Sequence, residues 1–146
     1  MDQLSIREIL FDSSEYKEAL KLRYQVLRAP LGLEFSAEEM AKEPVCLHFA
    51  ALQAGQVVGC LLLMPLDSSR VKMRQVAVSP TLQRAGVGKA LVISAETAAQ
   101  QRGFREIVLH ARDTAVGFYD RLGYERVGEL FLENTIPHLL MRKSLP

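Results

Sequence analysis

Residues 79–92 read "SPTLQRAGVGKALV", and the use made of Gly86, Gly88 and Lys89 in that run decides the fold. A Walker A loop needs a glycine where this chain has Gln83 or Arg84, and a Ser or Thr hydroxyl for magnesium where it has Ala90. A Rossmann fingerprint needs a third small residue where this chain has Leu91. Both nucleotide loops fail on these positions. Two glycines at a helix start still let the backbone approach an anion, because the first-turn N–H groups are unpaired and lie at the positive end of the helix dipole. Arg84 and Lys89 flank those amides and suit a pyrophosphate through charge-assisted hydrogen bonds. The plainer use, a glycine-eased strand-to-helix turn with solvated basic side chains, stays open on this stretch alone.

Upstream, residues 71–78 alternate as a strand, with Lys72, Arg74 and Val76 expected on one face and Met73, Gln75 and Ala77 on the other. Downstream, Val87, Ala90, Leu91, Ser94 and Ala98 recur as the apolar stripe of a helix closed by Gly103, and residues 106–111 return to strand. Strand, turn, helix, strand is a βαβ unit, so those two strands should be parallel with a right-handed crossover. Before it, "VCLHFAALQAGQVVGCLLLM" is two apolar runs hinged at Ala54-Gly55, a hairpin whose unbroken hydrophobicity predicts a sheet covered on both faces. The chain opens with a weak strand over 5–11, then a helix capped within Asp12-Ser13-Ser14-Glu15 and running up to Pro30. A short helix starts at Ser36, where Ser36 and Glu39 form a capping box, and ends before Pro44. A helix over 114–122, closed by Gly123, precedes two last strands, 124–133 and 136–145. The order β-α-α-β-β-β-α-β-α-β-β gives an α/β (α+β) class, a mixed and mostly antiparallel seven-stranded sheet flanked by about four helices.

With 146 residues the chain fits a single domain over 1–146, and a formal charge of +1 gives no electrostatic case for nucleic acid. The longest apolar cluster falls well short of the roughly 20 residues that span a bilayer, so no membrane is expected. Met1-Asp2-Gln3 lacks the basic, apolar start of a signal peptide, which predicts a cytoplasmic protein. Cys46 and Cys60, placed on adjacent strands, read as buried thiols in a reducing compartment. Three scattered histidines and no Cys-x-x-Cys pair give no metal-ligand spacing.

Gln83-Arg84-Ala85-Gly86-Val87-Gly88, directly after an apolar strand, resembles the Gln/Arg-x-x-Gly-x-Gly/Ala signature of the GNAT superfamily of N-acetyltransferases. Residues 115–124, "AVGFYDRLGY", are similar to that superfamily's later motif, a helix with Phe-Tyr followed by Leu-Gly-Phe/Tyr opening the next strand. The ending with Ile136-Pro137-His138 resembles the ElaA-like bacterial branch. The resemblance covers nearly the whole chain. It implies acetyl-CoA as the donor cosubstrate and a primary amine of a small molecule or protein as acceptor, joined by direct attack in a ternary complex. It also implies that the two parallel strands splay apart around the pantetheine arm. Backbone groups of Val76, Ala77 and Val78 would meet that arm, and the segment Gln83, Arg84, Ala85, Gly86, Val87, Gly88, Lys89 and Ala90 would cradle the pyrophosphate. Phe118 and Tyr119 would lie beside the cofactor.

Attack of an amine on the thioester creates an oxyanion, assigned to the backbone N–H of Val76. Tyr119 matches the tyrosine that many members use to protonate the departing thiolate. An alkylammonium with a pKa of about 10.4 must first lose a proton, so a base or a water chain is required. Some members carry a strand glutamate for this, but Lys72 stands at its position here. His48, His110, His138, Glu34 and water remain as candidates. Arg112 replaces the Asn or Gln common near the cofactor arm and is free to meet a phosphate or face water. Lys72 and Arg74, with Arg70 nearby, either receive a substrate carboxylate or form a solvated strand face. Acceptor specificity is expected from the first two helices, residues 28–36 and the final hairpin, which carry Tyr24, Leu31, Leu33, Glu34, Phe35 and Phe131. A noncatalytic acyl-CoA-binding or sensing module, and either a monomer or a homodimer, are compatible with the same residues.

Overall fold

The computed structural model describes residues 3–146, so Met1 and Asp2, part of the acidic start, lie outside the described residues. Its strands are β1 (Ser5–Ile9), β2 (Leu47–Gln53), β3 (Gln56–Pro65), β4 (Arg70–Val78), β5 (Glu106–Arg112), β6 (Glu125–Glu133) and β7 (Ile136–Ser144). The α-helices are α1 (Ser14–Arg23), α2 (Ala37–Ala41), α3 (Val87–Gln101) and α4 (Val116–Arg121). The seven strands form one sheet in the order β1-β2-β3-β4-β5-β7-β6. All neighbours are antiparallel except β4 and β5, the pair joined through α3.

Local chemistry sets these elements. Ser13 caps α1 by accepting the Tyr16 N–H at 3.2 Å. Ser36 and Glu39 close the expected capping box on α2, with bonds of 3.0 and 3.1 Å. The β2–β3 hairpin turns through Ala54 and Gly55, both at positive φ, as a two-residue turn matched to strand twist requires. Unbroken hydrophobicity in β2 is resolved by two-sided burial. Phe49 and Ala51 pack under α3, while Ala50 and Leu52 pack toward α1 with Ile9, Tyr16 and Ala19. Each large side chain so buried contributes about 1.5–3 kcal/mol.

Several expected details shift. Helix α1 stops at Arg23, and the chain continues as a wider π-helical turn, Tyr24–Arg28, before the 3-10 turn Ala29–Leu31. Strand β1 ends at Ile9, and Asp12 (φ 65°) lies in the turn into α1. Helix α4 is shorter than expected because Asp113–Ala115 forms a 3-10 turn ahead of it. The buried stripe of α3 is Val87, Leu91, Val92, Ala95 and Ala99; Ala90, Ser94 and Ala98 are half-buried at its margin. Cys46 lies in the turn before β2, not on a strand, while Cys60 is buried on β3.

The largest departure is in β4. Cys60 pairs with Ala77 but Leu62 pairs with Arg74, so two β4 residues, Gln75 and Val76, stand opposite Leu61. This is a β-bulge, and Gln75 holds it at φ 60°. One extra residue reverses the facing of everything after it. Gln75 and Ala77 therefore join the α1 side, whereas Val76 packs toward the α3 side, away from Lys72 and Arg74. Simple alternation could not foresee this.

Candidate active site at the strand split

Pairing between β4 and β5 runs only from Arg70↔Glu106 to Met73↔Leu109. Beyond it β4 stays on β3 through Val78, and β5 stays on β7 through Arg112. The two parallel strands thus part in a V. Its β4 edge, after the bulge, has no β5 neighbour.

On the α3 side the loop 79–86 delivers the chain to Val87. Gly86 sits at φ 86°, and no side chain caps the helix, whose first backbone bond is Ala90 N–H to the Gly86 carbonyl at 3.0 Å. The amides of Val87, Gly88 and Lys89 are thereby left without intrahelical partners. A Cβ on Gly88 would stand in ordinary contact, 3.4 Å from Phe118 Cζ and 3.8 Å from Val78 Cγ2, which places this end of the helix directly beside α4 and the end of β4. Gln83 bonds the Val78 carbonyl at 3.3 Å and Ala85 bonds the Leu82 carbonyl at 3.2 Å, bracing the loop. Arg84 reaches its place at φ 69°, a conformation uncommon for a side-chain-bearing residue.

Within the V lies a cavity of about 170 Å³ whose wall includes Val76, Ala111, Ala115, Tyr119, Leu27 and Arg28. Tyr119 is 7% exposed and packs edge-on against Phe118 and Tyr124. Burial raises its phenol above the ordinary range, so the hydroxyl carries its proton at neutral pH. Among the described residues no group hydrogen-bonds that hydroxyl.

The α1 side of the cavity is polar, for a reason written in the pleat. Lys72 and Arg74 alternate on β4, His110 and Arg112 on β5, and the β5–β7 register sets His138 beside Arg112. His110 Nδ1 is 2.9 Å from Glu133 Oε1 and 3.3 Å from Lys72 Nζ. His138 Nε2 approaches Glu133 Oε2 at 3.6 Å, and Phe131 packs against both rings. Burial acts to raise the Glu133 carboxyl, but the His110 hydrogen bond and the surrounding positive groups hold it below its ordinary value. Burial first, then the like charge of Arg74, lower the Lys72 ammonium.

The expected bases separate cleanly. His110 and His138 line the cavity. His48 is buried elsewhere, bonded to the Glu43 carbonyl at 2.8 Å and packed on Tyr16, and burial lowers its pKa. Glu34 borders a different, open hollow with Tyr24 and Phe35. Phe35 itself is held between the guanidiniums of Arg23 and Arg28. Arg112 does not point to the glycine loop; its Nη2 bonds the Leu27 carbonyl at 3.1 Å on the opposite face. Arg70 pairs with Asp67 outside the cavity.

Sequence reasoning missed Leu27, Arg28, Gln75 and Glu133 as cavity residues. Glu133 was within reach of it, since it ends a strand two positions from Phe131 on the same face. Leu27 and Arg28 were not, because the π-helical turn that carries them has no simple sequence signature.

The family model of the acetyltransferase (GNAT) domain matches residues 18–145. The uncharacterized protein YyaT of Bacillus subtilis (strain 168) is 27% identical over 146 residues, covering 97% of each chain. A GNAT family acetyltransferase from Elizabethkingia anophelis, solved with acetyl-CoA bound, superposes with a TM-score of 0.75 at 18% identity over 99% of this chain and 100% of its own. Escherichia coli ElaA superposes with a TM-score of 0.78 at 21% identity, over 98% of this chain and 99% of its own. At these identities the two structural likenesses speak to the fold.

Proposed function

Since the chain belongs to the GNAT acetyltransferase family, we propose that it is a single-domain N-acetyltransferase that transfers the acetyl group of acetyl-CoA to a primary amine in a ternary complex. The observation that carries this reading is the split of β4 from β5 at Met73/Leu109, with uncapped α3 amides on one side and a cavity holding Tyr119 within it. The amides of 84–89 receive the pyrophosphate, and the free edge of Val76, Ala77 and Val78 pairs with the pantetheine arm.

In the reaction, His110 takes the proton of the acceptor ammonium. With its Nδ1–H donated to Glu133, Nε2 keeps a free lone pair, and among the described residues it has no partner. The freed amine attacks the thioester carbonyl, and the Val76 N–H stabilises the oxyanion as it forms. When the C–S bond breaks, Tyr119 gives its proton to the thiolate, the acetylated nitrogen sheds its second proton through water to restore the Tyr119 phenol, and the new amide leaves. Lys72, in the place of the family's glutamate, cannot act as a base while it is an ammonium; its Nζ stands 3.3 Å from His110 Nδ1.

The test is thiol release from acetyl-CoA across an amine panel, with calorimetric binding of CoA, ATP and NAD beside it. Turnover with at least one amine class, together with CoA binding, supports the reading. CoA binding with silence across the panel favours a noncatalytic acyl-CoA module. Tight ATP binding without CoA binding overturns both.

A further inference from the structure

Arg28, Lys72, Arg74 and Arg112 all line the cavity on its α1 side. The carboxylates that could neutralise them are few and already engaged. Glu39 Oε2 accepts from Arg28 at 2.9 Å, Arg74 at 3.5 Å and Gln75 at 3.3 Å. Glu133 is held between His110 and His138. Neither Lys72 nor Arg112 has a carboxylate within ion-pair distance among the described residues. Among the described residues the guanidinium of Arg112 bonds only the Leu27 carbonyl, which leaves most of its five donors unused there. Burial first, and then the charge of Arg28, bear on Arg112 to lower its pKa, the signature of a cation desolvated without compensation. The anionic part of CoA does not answer this, because the α3 amides that suit a pyrophosphate lie on the other side of the sheet.

We propose that the acceptor is a primary amine that also bears a carboxylate, and that Arg112, in the cavity that Arg28, Lys72 and Arg74 also line, receives that carboxylate. This rests on the acetyl-transfer reading above and narrows it. The guanidinium fork forms two parallel bonds to a carboxylate, which orients the amine as well as holding it. An acceptor carrying a second positive charge, such as a polyamine, meets repulsion from the same groups.

The experiment pairs each of several amino acids with its own primary amide, which keeps shape and the α-amine but removes the charge. A charged hydrogen-bonded contact predicts kcat/KM on the order of ten- to a hundredfold higher for the acids. In Arg112→Gln that ratio falls to within about threefold, while Arg112→Lys keeps part of it. Equal turnover of acids and amides, or a preference for polyamines, overturns the proposal while leaving acetyl transfer standing. So does an Arg112→Gln protein whose loss is confined to CoA affinity. If no amine turns over, acetyl transfer fails and binding decides. Calorimetric titration of the CoA-bound protein with N-acetyl amino acids against their amides then supports the carboxylate site if only the acids bind and Arg112→Gln abolishes it. Absent or equal binding overturns it.

Discussion

Arg23 and Glu43 meet through two parallel hydrogen bonds of 2.9 and 2.6 Å, with both side chains nearly sealed from water. Tyr16 donates a third bond to Glu43 at 2.8 Å, and Arg23 Nε reaches the bulge residue Gln75 at 3.3 Å. The pair thus ties α1 and the turn before β2 to the point where β4 changes face. Burial alone would raise the Glu43 carboxyl, but the Arg23 bonds and charge outweigh it and hold the pKa below the ordinary range. A depressed folded pKa contributes stability that is complete above the unfolded value of about 4.3 and is lost as pH falls through the lower folded value. Glu43→Gln leaves the guanidinium buried without its charge partner and should cost about 3–5 kcal/mol. Thermal unfolding between pH 7 and 3 checks both points: the wild type loses stability below about pH 4, and the variant is weaker at neutral pH with a flatter acid slope.

Tyr119→Phe removes a hydroxyl that has no hydrogen-bond partner among the described residues, so the fold should hardly notice. Transition temperature is expected to stay within about 2 °C, since no buried bond is broken. If Tyr119 is the proton donor proposed above, the variant should instead lower kcat by about a hundredfold with the KM for acetyl-CoA little changed. A variant with near wild-type turnover would assign protonation of the sulfur to water.

His110 and Glu133 should behave as one unit. His110→Gln is expected to lower kcat by about a hundredfold and Glu133→Gln by about tenfold, with acetyl-CoA binding preserved in each. The double variant should be no slower than His110→Gln alone, because a carboxylate that orients an imidazole has no role once the imidazole is gone. Multiplying effects would mean that the two residues act separately.

How much of this was legible beforehand depends on the kind of signal. Element order, the α1 and α2 caps and the βαβ crossover followed from short-range rules that the structure obeys at Ser13, Ser36 and Ala54-Gly55. The facing of Val76 did not, because a bulge is a pairing event between strands and leaves little mark on either one alone. The same limit hid the cavity. Lys72 and His110 lie 38 positions apart, and the parallel register that joins them follows only from the sheet. The glycine loop was the reverse case, a local feature whose proposed role rests on backbone amides almost without regard to side chains.

That last point gives a test of the loop itself. At Gly86 a Cβ would find open space, so Gly86→Ala is penalised only through the backbone at φ 86°, by about 1–2 kcal/mol. At Gly88 the backbone needs no special conformation, but a Cβ already meets Phe118 Cζ at 3.4 Å and Val78 Cγ2 at 3.8 Å, so a branched side chain must fit into space those atoms already bound. Gly88→Val should therefore weaken CoA by about tenfold or more, because a branched side chain blocks the approach of the pyrophosphate to the helix end. Gly86→Ala should show the opposite balance, a lower transition temperature with a smaller loss of affinity. Calorimetry with CoA and with dephosphorylated pantetheine completes the comparison. If Gly88→Val weakens both ligands equally, the loop is acting on the arm and not on the pyrophosphate, and the assignment of residues 84–89 must be moved.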